Sequence, residues 1–469
     1  MTFYGILSQS QIESLHAAAL RVLEETGVQV ESDQLLGLLA DFGGRVDRAA
    51  QRVRFAASHV ERFLQESERY DWSQHQPRFY CGVGIYGCSY LNPETDELEP
   101  FTEAAFRDYI RVGNALAEID SVSVLGLPFG VAGAPPAYAA LTEKLYGWKY
   151  GAYPSGTVQL TDLCPYLEEI YARRAEELGC PLADVFHAVG YLISPLRLAR
   201  SECEQLLYFR SRGLRMSIGN LLSLGASAPI TLAGAVVLAL SESFFLGMLQ
   251  RALWDDRSFG VGGNVMVMDM RTTTSMYGRP EQLVMNAMLG QVARWYGVAG
   301  GGSAGLADAR EPSVQAGAQK ALGAVAGIHS CGASSIDAGL LSTDGICSPE
   351  QLIYDNELAA AVRQFLRPVE VNEETLAVAE IAEVGPGGLF LGTDLTARRF
   401  RTEVWQPEFW AGGSTQMWQA AGAVSDRTRA KQRIREILSE PPAENGLSED
   451  CEQELRAIIR RAVAARAAE

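Results

Sequence analysis

The amino-acid sequence predicts an α/β fold, a TIM-type β/α barrel with an N-terminal helical and hairpin extension and C-terminal helices. From Asp120 onwards, short apolar runs alternate with longer amphipathic stretches, which is typical of parallel strands joined by helical crossovers. Eight such runs favour a closed barrel, although an open doubly wound sheet has the same alternation. The candidate strands are residues 121–127, 151–159, 185–191, 215–218, 260–266, 298–302, 324–329 and 388–391.

An N-terminal segment is predicted for residues 1–115, where helices and a β-hairpin pack on the barrel. Ser8 and Gln11 have the spacing of a capping box, and the apolar stripe that follows them stops at Gly27. Further along, residues 80–98 predict a β-hairpin whose turn contains Asn, Pro and Asp. This segment is therefore expected to precede the barrel rather than to form part of it.

The barrel itself is predicted for residues 116–425, and helices are predicted for residues 426–469. The most apolar stretch of the barrel, residues 228–249, contains Glu242 near its middle. A bilayer core penalises a buried carboxylate, so this stretch is expected to be a barrel helix and no membrane span is predicted.

The composition excludes several classes of protein. With 469 residues, of which 47% are apolar and 21% charged, the chain has enough material for a large core. The formal net charge of −17 argues against a nucleic-acid-binding protein. No secretory signal is visible, and eight cysteines without CxxC pairs fit reduced thiols, so a cytoplasmic location is expected. Five histidines without ligand spacing indicate no protein-held metal site.

Three segments carry the most recognisable motifs: residues 268–278 read MDMR…YG, residues 300–317 read GGxSxGLADAxxPxxQAG, and residues 348–357 read SPEQLIYDNE. With them, the sequence resembles the trimethylamine methyltransferase family, which includes glycine betaine methyltransferases. Further matches lie at residues 194–197, 225–234, 385–388 and 400–407. The resemblance covers nearly the whole chain in the right order.

The resemblance implies transfer of a methyl group from an amine nitrogen to the cobalt of a separate corrinoid protein. Because reduced cobalt is itself a strong nucleophile, the methyltransferase has to orient one N-methyl group and keep the amine a good leaving group. The corrinoid (cobalamin) is therefore expected to be supplied by this cognate partner protein, with no cofactor bound tightly by the chain. A homo-oligomer is also expected.

The resemblance favours a quaternary amine, such as glycine betaine or a related betaine, as the methyl donor. A quaternary ammonium leaves without protonation, so an aromatic cage with nearby carboxylates suffices for it. Family members that demethylate trimethylamine are thought to activate it with pyrrolysine, and residues 303–308 contain no electrophile-forming group. The alternatives are another methylated donor, such as trimethylamine, and a non-catalytic binder of methylated ammonium compounds.

Two candidate catalytic residues follow from the resemblance, His329 and Asp337. His329 is expected after an apolar strand, where relatives also place a His, and there it would orient the substrate or fix a carboxylate. Relatives often continue with an aromatic residue and then an acid, whereas this chain has Ala333 and carries its acid at Asp337. The chain also lacks the His-containing motif that relatives show near residues 392–396.

The candidate substrate-binding residues lie near the predicted strand ends, and each has a structural alternative. Tyr277 is expected to form a cage wall or to pack in the core. Arg271 could clamp a betaine carboxylate, but with Asp269 it could equally form an ion pair that holds the loop. Asp308 could face the ammonium or cap the next helix. Two further candidates for the aromatic cage are Phe129 and Tyr191.

Overall fold

A computed structural model describes residues 3–157, 160–300, 303–442 and 446–467. Its helices are α1 Gln9–Arg21, α2 Asp33–Asp41, α3 Ala57–Glu66, α4 Glu103–Ala115, α5 Ala139–Lys149, α6 Cys164–Leu178, α7 Leu182–Val185, α8 Arg200–Ser211, α9 Leu232–Trp254, α10 Pro280–Tyr296, α11 Val314–Cys331, α12 Pro349–Leu366, α13 Glu373–Leu376, α14 Val378–Val384, α15 Asp394–Glu403, α16 Thr415–Ala420, α17 Asp426–Ser439 and α18 Glu449–Ala467. The predicted capping box of Ser8 and Gln11 is present at the start of α1.

The strands are short, and most of the longer ones pair in parallel. They are β1 Val28–Val30, β2 Arg45–Asp47, β3 Arg52–Arg54, β4 Arg78–Ile85, β5 Ser89–Leu91, β6 Leu98–Pro100, β7 Ser121–Val124, β8 Tyr153–Pro154, β9 Ala188–Leu192, β10 Arg197–Leu198, β11 Met216–Leu224, β12 Gly260–Val261, β13 Asn264–Asp269, β14 Thr274–Met276, β15 Ala299–Gly300, β16 Ser303–Gly305, β17 Ala333–Ala338, β18 Leu340–Leu341 and β19 Ile346–Cys347.

Two parallel sheets form the centre of the fold. The first has the strand order β16-β17-β4-β7-β8, and all of its pairs are parallel. In the second, β9, β11 and β13 pair in parallel, and β14 adds an antiparallel edge. A parallel bridge between Thr157 and Val189 and the parallel pair β12–β15 are two further links. The predicted mixed α/β fold with parallel strands is confirmed.

The strand predicted at residues 324–329 is wrong, because these residues lie inside α11. The Ser313 side chain caps the start of this helix, and Gly332, which adopts a left-handed conformation with φ of 77°, ends it. The apolar run is the buried side of the helix, and the strand β17 begins only at Ala333.

The strand predicted at residues 388–391 is also wrong, since a short 3₁₀ helix, Phe390–Gly392, occupies this exposed position. The central sheet is instead completed by β4, which lies inside the predicted hairpin of residues 80–98. Only the later half of that region, β5 and β6, forms an antiparallel pair. Strand β4 pairs with β7 and β17, which come from the beginning and from the later part of the predicted barrel region. The boundary at residue 115 stays a prediction.

Helix α9 is long and apolar enough to cross a membrane by length and composition alone, and 72% of its most apolar window is buried inside the structure. It packs against β11 and α1. Glu242, which lies within it, accepts hydrogen bonds from the Ser194 hydroxyl (2.8 Å), the Leu196 amide (2.9 Å) and the Asn220 side chain (3.1 Å). The buried carboxylate is therefore bonded to the polypeptide around it.

Candidate active site

Tyr277, which follows the β13–β14 hairpin, is held in place by a buried carboxylate. The backbone amides of Tyr277 and Gly278 donate to the two oxygens of Asp308, at 2.8 and 3.1 Å. The Asp308 side chain is 1% exposed and also accepts from Gln319 Nε2 at 3.2 Å. Arg279 Nε lies 3.8 Å from the same carboxylate. Asp308 thus acts on Tyr277 through the backbone.

The phenol of Tyr277 points to a second carboxylate, that of Asp344. Its hydroxyl donates to Asp344 Oδ2 at 3.3 Å. Asp344 lies in the turn between β18 and β19. Burial raises the pKa of Asp344, and the hydrogen bond from Tyr277 opposes this rise because it stabilises the ionised form.

A third acid, Asp337, lies near the carboxyl end of β17. Burial raises the pKa of Asp337 to about 6, with smaller contributions from the like charges of Asp344 and Asp355, while Lys320 opposes the rise. Lys320 Nζ donates to the backbone oxygen of Asp337 at 2.7 Å and to Asp355 Oδ2 at 2.5 Å. Asp337 is therefore surrounded by charges and can change ionisation near neutral pH.

Two further tyrosines belong to the same group. Tyr86 directly follows β4, and its pKa is raised by burial first and then by Asp337, Asp344, Tyr277 and Tyr191. The same carboxylates and Tyr191 also raise the pKa of Tyr277, after burial. These groups influence one another's pKa, so they lie in the same region of the molecule, where Tyr277 and Asp344 are in direct contact. We call Tyr86, Tyr191, Tyr277, Asp337 and Asp344 the tyrosine–aspartate cluster.

The cluster lies at the carboxyl ends of parallel strands. Tyr86 comes one residue after β4, Asp337 is the last but one residue of β17, and Tyr191 holds the same place in β9. In β/α folds, this end of the strands is where active sites are built. Tyr191 is 48% exposed, so the cluster is open to solvent on that side.

The chemistry of the cluster suits an organic cation. Tyrosine faces attract a cation through their negative quadrupole, and two carboxylates provide compensating charge. Throughout the described residues, no group of three or more His, Cys, Asp or Glu side chains is arranged to hold a metal ion. The cluster therefore offers attraction and orientation to a cation.

The structure brings only part of the predicted site together. Tyr191, Tyr277 and Asp337 lie in the cluster, and Asp308 supports it from behind. His329 does not reach it, because it lies in the last turn of α11, before β17 begins. About 13 Å of strand, at 3.3 Å per residue, separates the start of β17 from Asp337. The prediction that His329 follows a strand is wrong.

His329 has structural contacts at the opposite end of the strands. Its backbone oxygen accepts from the Tyr4 amide at 2.8 Å, and its ring lies edge-on to Phe365 with centroids 5.9 Å apart. Phe129 packs between Phe106 and Tyr146, with centroid distances of 5.3 and 5.2 Å. Both residues contact the helical layer.

Asp269 and Arg271 form an ion pair across the turn of the β13–β14 hairpin. Asp269 accepts from the backbone amide of Arg271 at 2.9 Å and from its guanidinium at 3.3 Å. The hydrogen bond from the Arg271 side chain lowers the pKa of Asp269. The Arg271 side chain is 85% exposed, so the pair holds the turn at the surface.

Sequence reasoning missed Tyr86, Asp344 and the pair Lys320–Asp355. Tyr86 had a signal, since Gly82 and Gly84 alternate with apolar residues before it and leave one strand face without side chains. Asp344 also had a sequence signal, because it lies in the turn that follows the two leucines of β18. The Lys320–Asp355 pair joins two consecutive helices across 35 residues of sequence, and no local pattern indicates such a contact.

Comparisons with known proteins agree with the sequence motifs. The family described as trimethylamine methyltransferase (MTTB) matches residues 1–79 and 161–466. The chain is 25% identical over 467 residues to trimethylamine methyltransferase MttB of Desulfitobacterium hafniense, covering 97% of this chain and 92% of the relative. It is 23% identical over 478 residues to a glycine betaine methyltransferase of the same species, covering 97% and 96%.

Among solved structures, the monomethylamine methyltransferase of Methanosarcina barkeri superposes with a TM-score of 0.49 at 10% identity, covering 93% of this chain and 88% of that chain. At that level the likeness supports no conclusion. The sequence relatives named above are all methyltransferases, which supports the prediction that the chain is an enzyme. The family match extends over most of the chain, and the protein belongs to the trimethylamine methyltransferase family.

Proposed function

We propose that the protein transfers a methyl group from a quaternary amine, glycine betaine or a related betaine, to a partner corrinoid protein. The observation that carries this proposal is the tyrosine–aspartate cluster, in which Tyr277 donates to Asp344 and in which Tyr86, Tyr191 and Asp337 lie at the carboxyl ends of parallel strands. A permanent cation without N–H groups gains from such surroundings without needing a hydrogen-bond acceptor of fixed geometry.

The strand pairing supports a closed TIM-type barrel as the frame of this site. The parallel pairs would then follow the order β4, β7, β8, β9, β11, β12–β13, β15–β16, β17 and back to β4. The bridge Thr157–Val189 and the pair β12–β15 would supply the two remaining joins. In this frame the cluster would occupy the mouth of the barrel.

The donor follows from the chemistry of the leaving group. When the methyl carbon leaves, the bonding electron pair stays on the ammonium nitrogen, which becomes a neutral tertiary amine, and no proton moves. The partner's corrinoid would supply the attacking nucleophile. The ring faces of Tyr86, Tyr191 and Tyr277 would hold the trimethylammonium, and Asp337 and Asp344 would balance its charge until transfer.

Two features favour a quaternary amine over trimethylamine. The sequence contains only the twenty standard residues, so no pyrrolysine is present to activate a tertiary amine. The described cluster contains no Lys or Cys that could replace it. A glycine betaine methyltransferase is among the relatives, and it matches this chain over nearly its full length.

The proposal is tested with the purified protein, a reduced corrinoid protein and separate methylated amines. Glycine betaine, longer-chain betaines and trimethylamine are compared, and methylation of cobalt is followed by its absorbance change. We expect turnover with at least one betaine. Turnover with trimethylamine alone would refute the quaternary donor, and betaine binding without any methyl transfer would identify a non-catalytic binder.

Tyr277 variants connect the activity to the cluster. Tyr277→Phe keeps the ring and loses the hydrogen bond to Asp344, so betaine affinity is expected to change less than threefold. Tyr277→Ala removes a cation–π contact of about 0.5–2 kcal/mol, and affinity is expected to fall about 2- to 30-fold. Tyr4→Ala, at a residue 65% exposed near the N-terminus, is the control. Equal betaine affinity in all three variants would show that the substrate binds outside the tyrosine–aspartate cluster.

A further inference from the structure

One long segment of the chain, which we call the arm, has helices but no core. The arm runs from Arg367, after α12, to Glu408. It contains α13, α14, the 3₁₀ helix Phe390–Gly392 and α15. Every residue of this fully described stretch is exposed or only partly buried. A helical segment that buries nothing gains little from packing, so its ordered form requires a covering surface.

The arm exposes an unusual amount of apolar surface. Ten of its large apolar side chains are between 40 and 80% exposed: Val369, Val371, Leu376, Val378, Ile381, Leu389, Phe390, Leu391, Phe400 and Val404. Together they present on the order of 1,000 Å². Soluble monomers rarely expose apolar patches beyond a few hundred Å², whereas a standard interface buries about 800 Å² on each partner.

The helices of the arm are specified by their own sequence. Asn372 forms a capping box with Thr375 at the start of α13, and the Thr393 side chain caps α15. Arg399 pairs with Glu370 at 3.4 Å and with Glu374 at 3.1 Å, which ties α15 to the beginning of the arm. The arm is thus a built structural unit whose apolar side lacks a partner among the described residues.

The arm is held to the body at both ends. It leaves α12 beside Phe365, whose ring contacts His329 at the end of the strands opposite to the tyrosine–aspartate cluster. It returns at Phe409 and Trp410, whose amides donate to the buried Glu357 at 2.9 and 3.0 Å. A protein that delivers cobalt has to reach the cluster, whereas the arm begins on the far side.

The kind of surface also points to a permanent partner. A corrinoid protein has to bind and leave in every catalytic cycle, and transient interfaces are smaller and more polar than permanent ones. The uncovered side chains of the arm are mainly Val, Leu, Ile and Phe, as in an interface that stays closed. A second copy of this chain is a partner that is always present in equal amount.

The arm has an acidic part and a basic part, so two copies of it can be complementary in charge. Residues 368–393 contain five Glu and no basic residue, whereas α15 carries Arg398, Arg399 and Arg401. Among the described residues, Arg401 makes no ion pair, and its guanidinium lies over the Phe400 ring at 4.5 Å from the centroid. In a two-fold interface, a residue on one copy meets a different residue on the other, and the reverse contact also forms. The acidic half of one arm would then face α15 of the other.

We propose that the arm is the contact surface of a two-fold homodimer, in which the arms of two copies cover each other. This inference does not depend on the proposed reaction, because it concerns the end of the fold opposite to the cluster.

The test is the mass of the full-length protein in solution, measured by light scattering after size exclusion at micromolar concentration. We expect an even multiple of the chain mass of 50.9 kDa. In the double variant Leu389→Asp and Leu391→Asp, whose side chains are 76 and 80% exposed, the mass should be halved while the circular dichroism is unchanged. The control Leu178→Asp, at a residue 52% exposed outside the arm, should keep the wild-type mass.

Charge reversal checks the two-fold arrangement independently. Glu380→Arg and Arg401→Glu are each expected to weaken the dimer at least tenfold, and the two together should recover most of the affinity. A monomeric wild-type protein, or a double Leu variant of unchanged mass, would overturn the proposal. A wild-type protein whose mass rises above that of one chain only when a corrinoid protein is added would overturn it as well.

Discussion

Substitution of Lys320 by Met should destabilise the protein more than almost any other single change near the cluster. The Lys320 and Asp355 side chains are 0 and 1% exposed, and Nζ lies 2.5 Å from Asp355 Oδ2. Removing the cation leaves a carboxylate buried and uncompensated, which typically costs about 3–5 kcal/mol. With an unfolding entropy of about 2.1 cal/mol/K per residue, a single transition of this chain should shift by roughly 3–5 °C.

The same geometry predicts that a second substitution restores stability. Asp355 accepts from the Gly339 amide and from Gln351 Nε2, both at 2.8 Å. In the double variant Lys320→Met and Asp355→Asn, the new amide keeps an acceptor for Gly339. Gln351 can turn its amide to accept from it, because Gln351 Oε1 has no hydrogen-bond partner in the described structure. The double variant should therefore regain most of the lost stability.

The assay is thermal unfolding at pH 7, with Arg21→Met as the control. Arg21 and Glu25 form an i,i+4 ion pair whose side chains are both more than half exposed, so no measurable change is expected there. If the double variant unfolds at the same temperature as Lys320→Met, the buried charge is not the cause of the loss. If Lys320→Met itself shifts the midpoint by less than 1 °C, the pair contributes no stability and the reasoning fails.

Two further predictions concern the acids of the site. Because burial raises the pKa of Asp337 to about 6, folding favours its protonated form, and the resulting stability is lost as pH rises through about 6. Asp337→Asn should therefore stabilise the protein by up to about 3 kcal/mol at pH 7.5 and hardly at pH 4. The measurement is thermal unfolding at both pH values, with the exposed Asp41→Asn as the control. A gain in stability that is independent of pH would contradict this prediction. Asp308→Ala leaves the amides of Tyr277 and Gly278 without acceptors, at about 1–3 kcal/mol each, so both the unfolding midpoint and betaine affinity should fall, whereas Arg271→Ala should change neither. Intact betaine binding in Asp308→Ala would show that Tyr277 needs no such support.

The fold could be predicted from the sequence wherever local pattern and tertiary role agree. Six of the predicted strands overlap observed ones, because short apolar runs with polar ends are buried strands here. Pattern failed at residues 324–329, where an apolar run rich in Ala and Gly is equally suited to a buried helix face. The length of the whole segment decides between a strand and a helix, and the cap residues Ser313 and Gly332 mark a single long helix.

The candidate site was predictable only for residues at strand ends. Tyr191 and Asp337 fall there, and Tyr277 follows a hairpin strand, so order along the chain translates into position. The prediction for His329 fails together with the strand predicted before it, because both lie in α11. Lys320 is an isolated charge on a helix, and its partner Asp355 belongs to the next helix, so only the packing of α11 against α12 brings them together.

The arrangement behind the cluster suits the proposed donor, a cation without hydrogen-bond donors. A quaternary ammonium cannot select one geometry by directional bonds, so the walls around it have to be fixed before it binds. Two buried carboxylates provide this rigidity: Asp308 holds the backbone at Tyr277, and Asp355 with Lys320 holds the end of the strand that carries Asp337. Loss of either support should therefore slow transfer more than it weakens binding, because a misplaced methyl group is still attracted but no longer points towards its acceptor.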